Sequence, residues 1–260
     1  MPMSELPEPL VRDCLYNWLG YGSLDSPYWF IGIEESLYRW EGFNNVDDVE
    51  DFLRLRREFG LTEDFKQVWE EKHGFALEKF SGPSTWRFQA VFMMTLEDPS
   101  LLEESSATLG RRAKEYVFEN KRLGRRGGDS LTGEFFPLPK SLDTIEPYDH
   151  IWKSEAAYHR EVIPGREHLL TDAIEESNGV RCIVSYGNTN TNPTPEVLLN
   201  HYPSEKVETL VSTERSTSYE LYKLTVDDDS VHLIHTPFFG MGQASYAEVA
   251  RAAGHYRNMG

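Results

Sequence analysis

The chain of 260 residues is 39% hydrophobic, enough for the core of a single α/β domain over residues 1–260, and carries a formal net charge of -17. That acidic excess excludes a protein that coats nucleic acid over its whole surface, because neutralising phosphates takes Lys and Arg on the contact face. No apolar run approaches the roughly 20 residues that span a bilayer and Met1-Pro2-Met3-Ser4-Glu5 is no signal sequence, so a cytoplasmic chain without a membrane partner is expected.

An amphipathic stretch from Leu10 to Leu19 comes first; within it Cys14, with Cys182 far downstream, makes too small a set for a disulfide framework or metal spacing. Tyr28 to Ile33 reads as a strand of aromatic and β-branched residues entering Gly32, and its end delivers Glu34, Glu35 and Ser36. Open α/β sheets carry their chemistry at such carboxyl ends. Phe52, Leu55, Phe59, Phe65, Val68 and Trp69 recur at helical spacing, as do Trp86, Ala90, Val91 and Met94 behind the N-cap Ser84. Between Arg111 and Arg126 seven basic residues fall within sixteen, a solvated helix end or a local face for a polyanion.

Leu131 to Phe136 is a second strand, expected to stop at Pro137-Leu138-Pro139 because proline cannot donate to a central ladder. Trp152 to Ser177 is helical with a break near Pro164-Gly165, and Val180 to Tyr186 is a third strand ending at Gly187. Lys206 to Ser212 and Tyr219 to Val226 form an antiparallel pair, Asp227-Asp228-Asp229 a hairpin turn, and Val231 to His235 the last strand. Ser245 to Tyr256 closes the chain as a helix, Ser245 and Glu248 making a capping box. Helices between strands imply parallel crossovers. The predicted fold is therefore a three-layer α/β/α sandwich with a central, mainly parallel four-stranded sheet and an added β-hairpin. Strand ends near Glu34, Glu134, Gly187 and His235 would then share one pocket.

The order of these pieces resembles the uracil-DNA glycosylase superfamily over most of the chain. Phe30-Ile31-Gly32-Ile33-Glu34-Glu35-Ser36 is similar to the family's first motif, in which a strand and a glycine precede the residue that handles the attacking water; Glu34 matches that position. Phe135-Phe136-Pro137-Leu138-Pro139 resembles the second strand and its proline-rich turn, with Glu134 where the family has a base-reading asparagine. Arg181-Cys182-Ile183-Val184-Ser185-Tyr186-Gly187-Asn188 resembles the third strand. Ile234-His235-Thr236-Pro237, followed by Gly240-Met241-Gly242-Gln243-Ala244-Ser245, is similar to the final histidine-proline motif and its DNA-inserting loop. The first motif lacks the family's usual proline, and two cysteines cannot supply an iron–sulfur ligand set.

The resemblance implies a monomeric DNA N-glycosylase with DNA as its partner and neither cofactor nor metal. Glu34, with Glu35 second, would orient water and stabilise positive charge on the sugar, unless either carboxylate merely caps the following helix. His235 would stabilise the leaving base, unless it is a structural histidine. Phe135, Phe136 and Tyr38 are candidates to stack on a flipped base and Asn188 to contact it; Phe238, Phe239 and Met241 would wedge into the duplex beside Gln243. Arg122, Arg125 and Arg126 are the candidate phosphate contacts. An ionised Glu134 accepts hydrogen bonds and donates none, which suits cytosine N4 unless it pairs with Arg125 or Arg126. The expected substrate is a modified or damaged base, such as a hydroxymethylated or glucosylated cytosine of phage DNA, in repair or antiviral defence.

Serine-hydrolase, phosphate-loop and HExxH patterns are absent. Alternatives are a noncatalytic glycosylase-like module that binds nucleic acid or protein, a uracil-excising repair enzyme, or a hydrolase of free nucleosides or nucleotides.

Overall fold

The computed structural model describes residues 5–36, 43–80, 82, 84–141, 144–188, 191–212, 215 and 217–259. In chain order the elements are α1 (Glu8–Tyr16), β1 (Gly20–Tyr21), β2 (Tyr28–Ser36), α2 (Val49–Arg57), β3 (Thr62–Glu63), α3 (Ser84–Glu97), α4 (Ser106–Lys114), β4 (Ser130–Lys140) and α5 (Glu155–Glu176). Then follow β5 (Cys182–Tyr186), α6 (Thr194–His201), β6 (Ser204–Val211), β7 (Ser218–Val226), β8 (Asp229–Thr236) and α7 (Tyr246–Met259). Short π-helical turns occur at Gln67–Lys72, within the stretch that the apolar spacing predicts as helical, and at Glu115–Glu119, directly after α4.

One mixed sheet of eight strands runs in the order β3-β1-β4-β2-β5-β8-β7-β6. Its middle four strands, β4, β2, β5 and β8, are mutually parallel. The predicted hairpin does not stand apart: β7 pairs antiparallel with β8, so β6 and β7 extend the sheet. At the other edge β1 pairs antiparallel with β4 and parallel with β3, two strands of two residues each that no sequence period reveals.

Side-chain alternation along β2 splits the core. Phe30 joins Val184, Tyr186 and Ile234 on one face, where α3, α4 and α7 pack. Trp29 and Ile31 join Ile183 and Leu233 on the other, against α1, α2, α5 and α6. Two predictions fail locally. β4 continues through Pro137 and Pro139 to Lys140, because β1 borders it only at Thr132 and Gly133 and leaves no ladder beyond for the missing N–H groups to serve. α5 runs unbroken with Pro164 inside it. The closing capping box forms as expected: Ser245 donates its N–H to Glu248 Oε2 at 2.9 Å and its Oγ accepts from Glu248 N–H at 3.3 Å.

Candidate functional site

Where β2 and β4 run side by side, Gly32 lies opposite Glu134. A Cβ at Gly32 would fall 1.8 Å from Glu134 Oε2 and 2.5 Å from the Tyr186 hydroxyl, so the carboxyl occupies the volume that any other residue would fill. Tyr186 donates to Glu134 Oε1 at 3.1 Å, and Gln89 Nε2 donates to the Tyr186 hydroxyl at 3.2 Å. Glu134 Oε2 and Gln89 Oε1 are buried without a hydrogen-bond partner. Burial pushes the Glu134 carboxyl well above the usual carboxylate range; the Tyr186 hydrogen bond opposes the shift, and the charges of Glu35 and Glu34 add to it. Enclosure therefore favours the protonated acid over the ionised acceptor expected from the sequence. The alternative partners, Arg125 and Arg126, bind Asp64 and Glu63 instead.

Glu134 and Tyr186 border a cavity of about 400 Å³ at the carboxyl ends of β2 and β5. Glu34, Glu35, Ser36, Glu134 and Tyr186 line it together with the aromatic rings of Trp18, Tyr21, Phe80, Trp86 and Phe238 and the start of α3 at Ser84 and Thr85. Glu34 pairs with Lys140 Nζ at 2.9 Å, and Lys140 also reaches Glu155 at 3.0 Å. Burial raises the Glu34 carboxyl and the ammonium works against that rise. Glu35 does not share this setting. Arg56, fully buried, donates to Glu35 Oε2 at 2.5 Å and Oε1 at 3.1 Å and to the Pro137 carbonyl at 2.6 Å, with its guanidinium 4.5 Å from the centre of the Phe52 ring. That pair locks the ends of β2 and β4 together. Below it the buried Arg166 donates to the carbonyls of Trp18, Leu15, Phe135 and Glu134 at 2.7 to 3.1 Å, joining the pocket's Trp18 to the Glu134 strand.

The other predicted site residues divide. His235, 9% exposed, shares a strand face with Leu233, whereas Tyr186 and Ile234 face the opposite side, so strand alternation turns it away from the Glu134 side and it does not line the cavity. Burial lowers the pKa of its ring, and its Nδ1 is unpartnered. Phe135 and Phe136 are core residues of that same far face, Phe136 stacked on His159 at 4.4 Å. Phe238 lines the cavity, but Phe239 is fully buried between Tyr186 and Phe88, with ring centres 4.7 and 5.4 Å away. Met241 is 78% exposed with a φ of 50°, next to the exposed Gln243, and Asn188 is exposed beyond β5. Tyr38 lies outside the described residues. Arg122 binds Glu97 at 2.7 Å, as Arg125 and Arg126 bind their carboxylates at 2.8 Å.

Sequence reasoning missed Tyr186, Gln89 and Lys140. Tyr186 sits at a recognised strand end, a usable signal, but Gln89 lies mid-helix and Lys140 beyond two prolines, where no local pattern marks them. Among the described residues no group of three His, Cys, Asp or Glu is arranged to hold a metal, and no helix is long and apolar enough to cross a membrane. No protein-family model, curated protein or solved structure matches the chain.

Proposed function

We propose that the chain is a DNA N-glycosylase that hydrolyses the bond between the sugar and a flipped-out modified or damaged base, with hydroxymethylated and glucosylated cytosines among the candidates, in repair or antiviral defence. The observation that carries this reading is the meeting of Glu34, Glu134, Tyr186 and Phe238 around one aromatic-walled cavity at the carboxyl ends of parallel strands. In this reading the four parallel strands are the middle of a three-layer α/β/α sandwich, β6 and β7 are its hairpin, and the protein is a cytoplasmic monomer.

A cavity of about 400 Å³ suits one planar ring with part of its sugar, and the rings of Trp86 and Phe238 supply apolar walls for it. Glu34 is the water-orienting carboxylate: Lys140 favours its charged form, and the carboxylate stabilises positive charge on the sugar as the bond to the base breaks. Water adds its oxygen to the anomeric carbon and passes a proton to Glu34, while the base leaves with the bonding electron pair. Glu35 is held by Arg56 and serves as structure. With His235 turned away, hydrogen bonding to the leaving base falls to the Glu134–Tyr186 side.

Base release from a panel of natural and modified DNAs, followed by mass spectrometry, tests the reading. Wild-type protein releases a base, and Glu34→Gln, folded by circular dichroism, loses at least about 100-fold of that activity. A folded wild type that releases nothing from any DNA contradicts it.

A second reading, hydrolysis of free nucleosides or nucleotides, draws on a specific observation. Arg122, Arg125 and Arg126 are each engaged by a carboxylate, and no Lys or Arg lines the cavity among the described residues. Release from nucleosides but from no DNA selects it.

A further inference from the structure

Three groups on three elements form a chain of hydrogen bonds with a direction: Gln89 of α3 donates to Tyr186 of β5, and Tyr186 donates to Glu134 Oε1 of β4. In a neutral carboxyl the oxygen that accepts from a phenol is the carbonyl oxygen, which leaves the other one, Oε2, as the place for a proton on Glu134. Oε2 is the atom packed against Gly32 without a partner. A buried hydroxyl with nothing to donate to is costly, and a bound group that offers an acceptor removes the cost. Glu134 lines the cavity, so a ring bound there meets this carboxyl group.

We propose that Gln89 and Tyr186 are specificity-determining residues that orient Glu134, an acid kept neutral by its enclosure, as a hydrogen-bond donor, so that the pocket selects a ring with a carbonyl acceptor at this point over one with an exocyclic amine. This rests on the base-binding reading of the cavity, reverses the polarity that an ionised Glu134 would impose, and ranks the cytosines among the candidate substrates below bases that present a carbonyl at this point. The surroundings keep the acid neutral. Glu34 and Glu35 face it from β2, held by Lys140 and Arg56, and Tyr186 faces it from β5. Arg166 of α5 meets the main-chain carbonyl of Glu134 at 3.1 Å. An acid kept neutral by its enclosure so that it can donate is a known solution for binding carbonyl and enolate oxygens.

Two readouts test this, and the first needs no turnover. In protein labelled with ¹³C at the glutamate carboxyls, one resonance, missing in Glu134→Gln, stays at the protonated position at pH 7, and Tyr186→Phe moves its titration to higher pH. An ionised Glu134 at pH 7 overturns the proposal even if base release is found. In the second, inosine and adenosine, free and within single-stranded oligonucleotides, are compared for binding. The carbonyl-bearing ring binds about tenfold more tightly, the worth of one matched hydrogen bond. Glu134→Gln, which keeps a donor in place, retains the preference; Glu134→Met abolishes it and Tyr186→Phe narrows it. Equal binding, a preference for adenosine, a preference that survives Glu134→Met, or binding of neither ring overturns it.

Discussion

Gly32 is the residue on which the pocket floor depends, because its missing side chain is the space that Glu134 fills. Gly32→Ala would put a methyl 1.8 Å from Glu134 Oε2 and 2.5 Å from the Tyr186 hydroxyl, so the Glu134 carboxyl must leave its place. The expected result is a loss of about 1–3 kcal/mol in stability, measured by urea unfolding, with base release abolished while the fold remains. His73 gives a second prediction at this scale. It is fully buried among Phe52, Phe43 and Trp69, both ring nitrogens lack a hydrogen-bond partner, and burial lowers its pKa to about 3. Because the folded-state value is depressed, the unfolded chain takes up the proton first. Stability is full above the ordinary value of 6.5 and falls with pH toward about 3, by roughly 1.4 kcal/mol per pH unit across that window. In His73→Phe the slope of unfolding midpoint against pH flattens between pH 6 and 4; an unchanged slope would show that other groups govern acid unfolding.

Among elements, the join between β2, β4 and α2 is made by the Arg56–Glu35 pair, with both partners buried. Removing one partner strands a charge, so Arg56→Met is expected to cost about 3–5 kcal/mol, while the double variant Glu35→Leu with Arg56→Met costs less than Arg56→Met alone. Additive losses in urea unfolding would mean that the pair is not coupled. Three of the four central strands were legible in sequence because β2, β5 and β8 are apolar runs rich in β-branched and aromatic residues. The parallel order of the middle strands also followed from the intervening helices. What the chain could not disclose was side-chain direction: whether His235 faces Glu134 depends on the register of Ser185 opposite His235, a long-range fact. The two-residue strands β1 and β3 carry no period, and the proline stop failed because it supposed neighbours on both edges of β4, whereas beyond Gly133 β2 continues on one edge and β1 does not on the other. Glu34 was found at its strand end; its partner Lys140 lay across the bulge between Glu34 and Ser36 in the β2–β4 register, which sequence spacing does not show.

At the scale of the whole molecule, the charge of -17 is consistent with how the basic run is used. Arg122, Arg125 and Arg126 hold Glu97, Asp64 and Glu63, and Lys121 lies 2.6 Å from Glu70, so these four members of the basic run are each engaged by a carboxylate. Replacing all three arginines with glutamine is therefore expected to leave the salt dependence of duplex binding unchanged. Three phosphate contacts would instead reduce the slope of log K against log salt by about 2.7. Mass spectrometry of the bases freed from modified and natural DNAs by the wild type and by Glu34→Gln puts the proposed role of the cavity lined by Glu34 and Glu134 to the test. A released base is expected with the wild type, and at least about 100-fold less with the folded variant. Equal release by both proteins, or none from any DNA by a folded wild type, would contradict it.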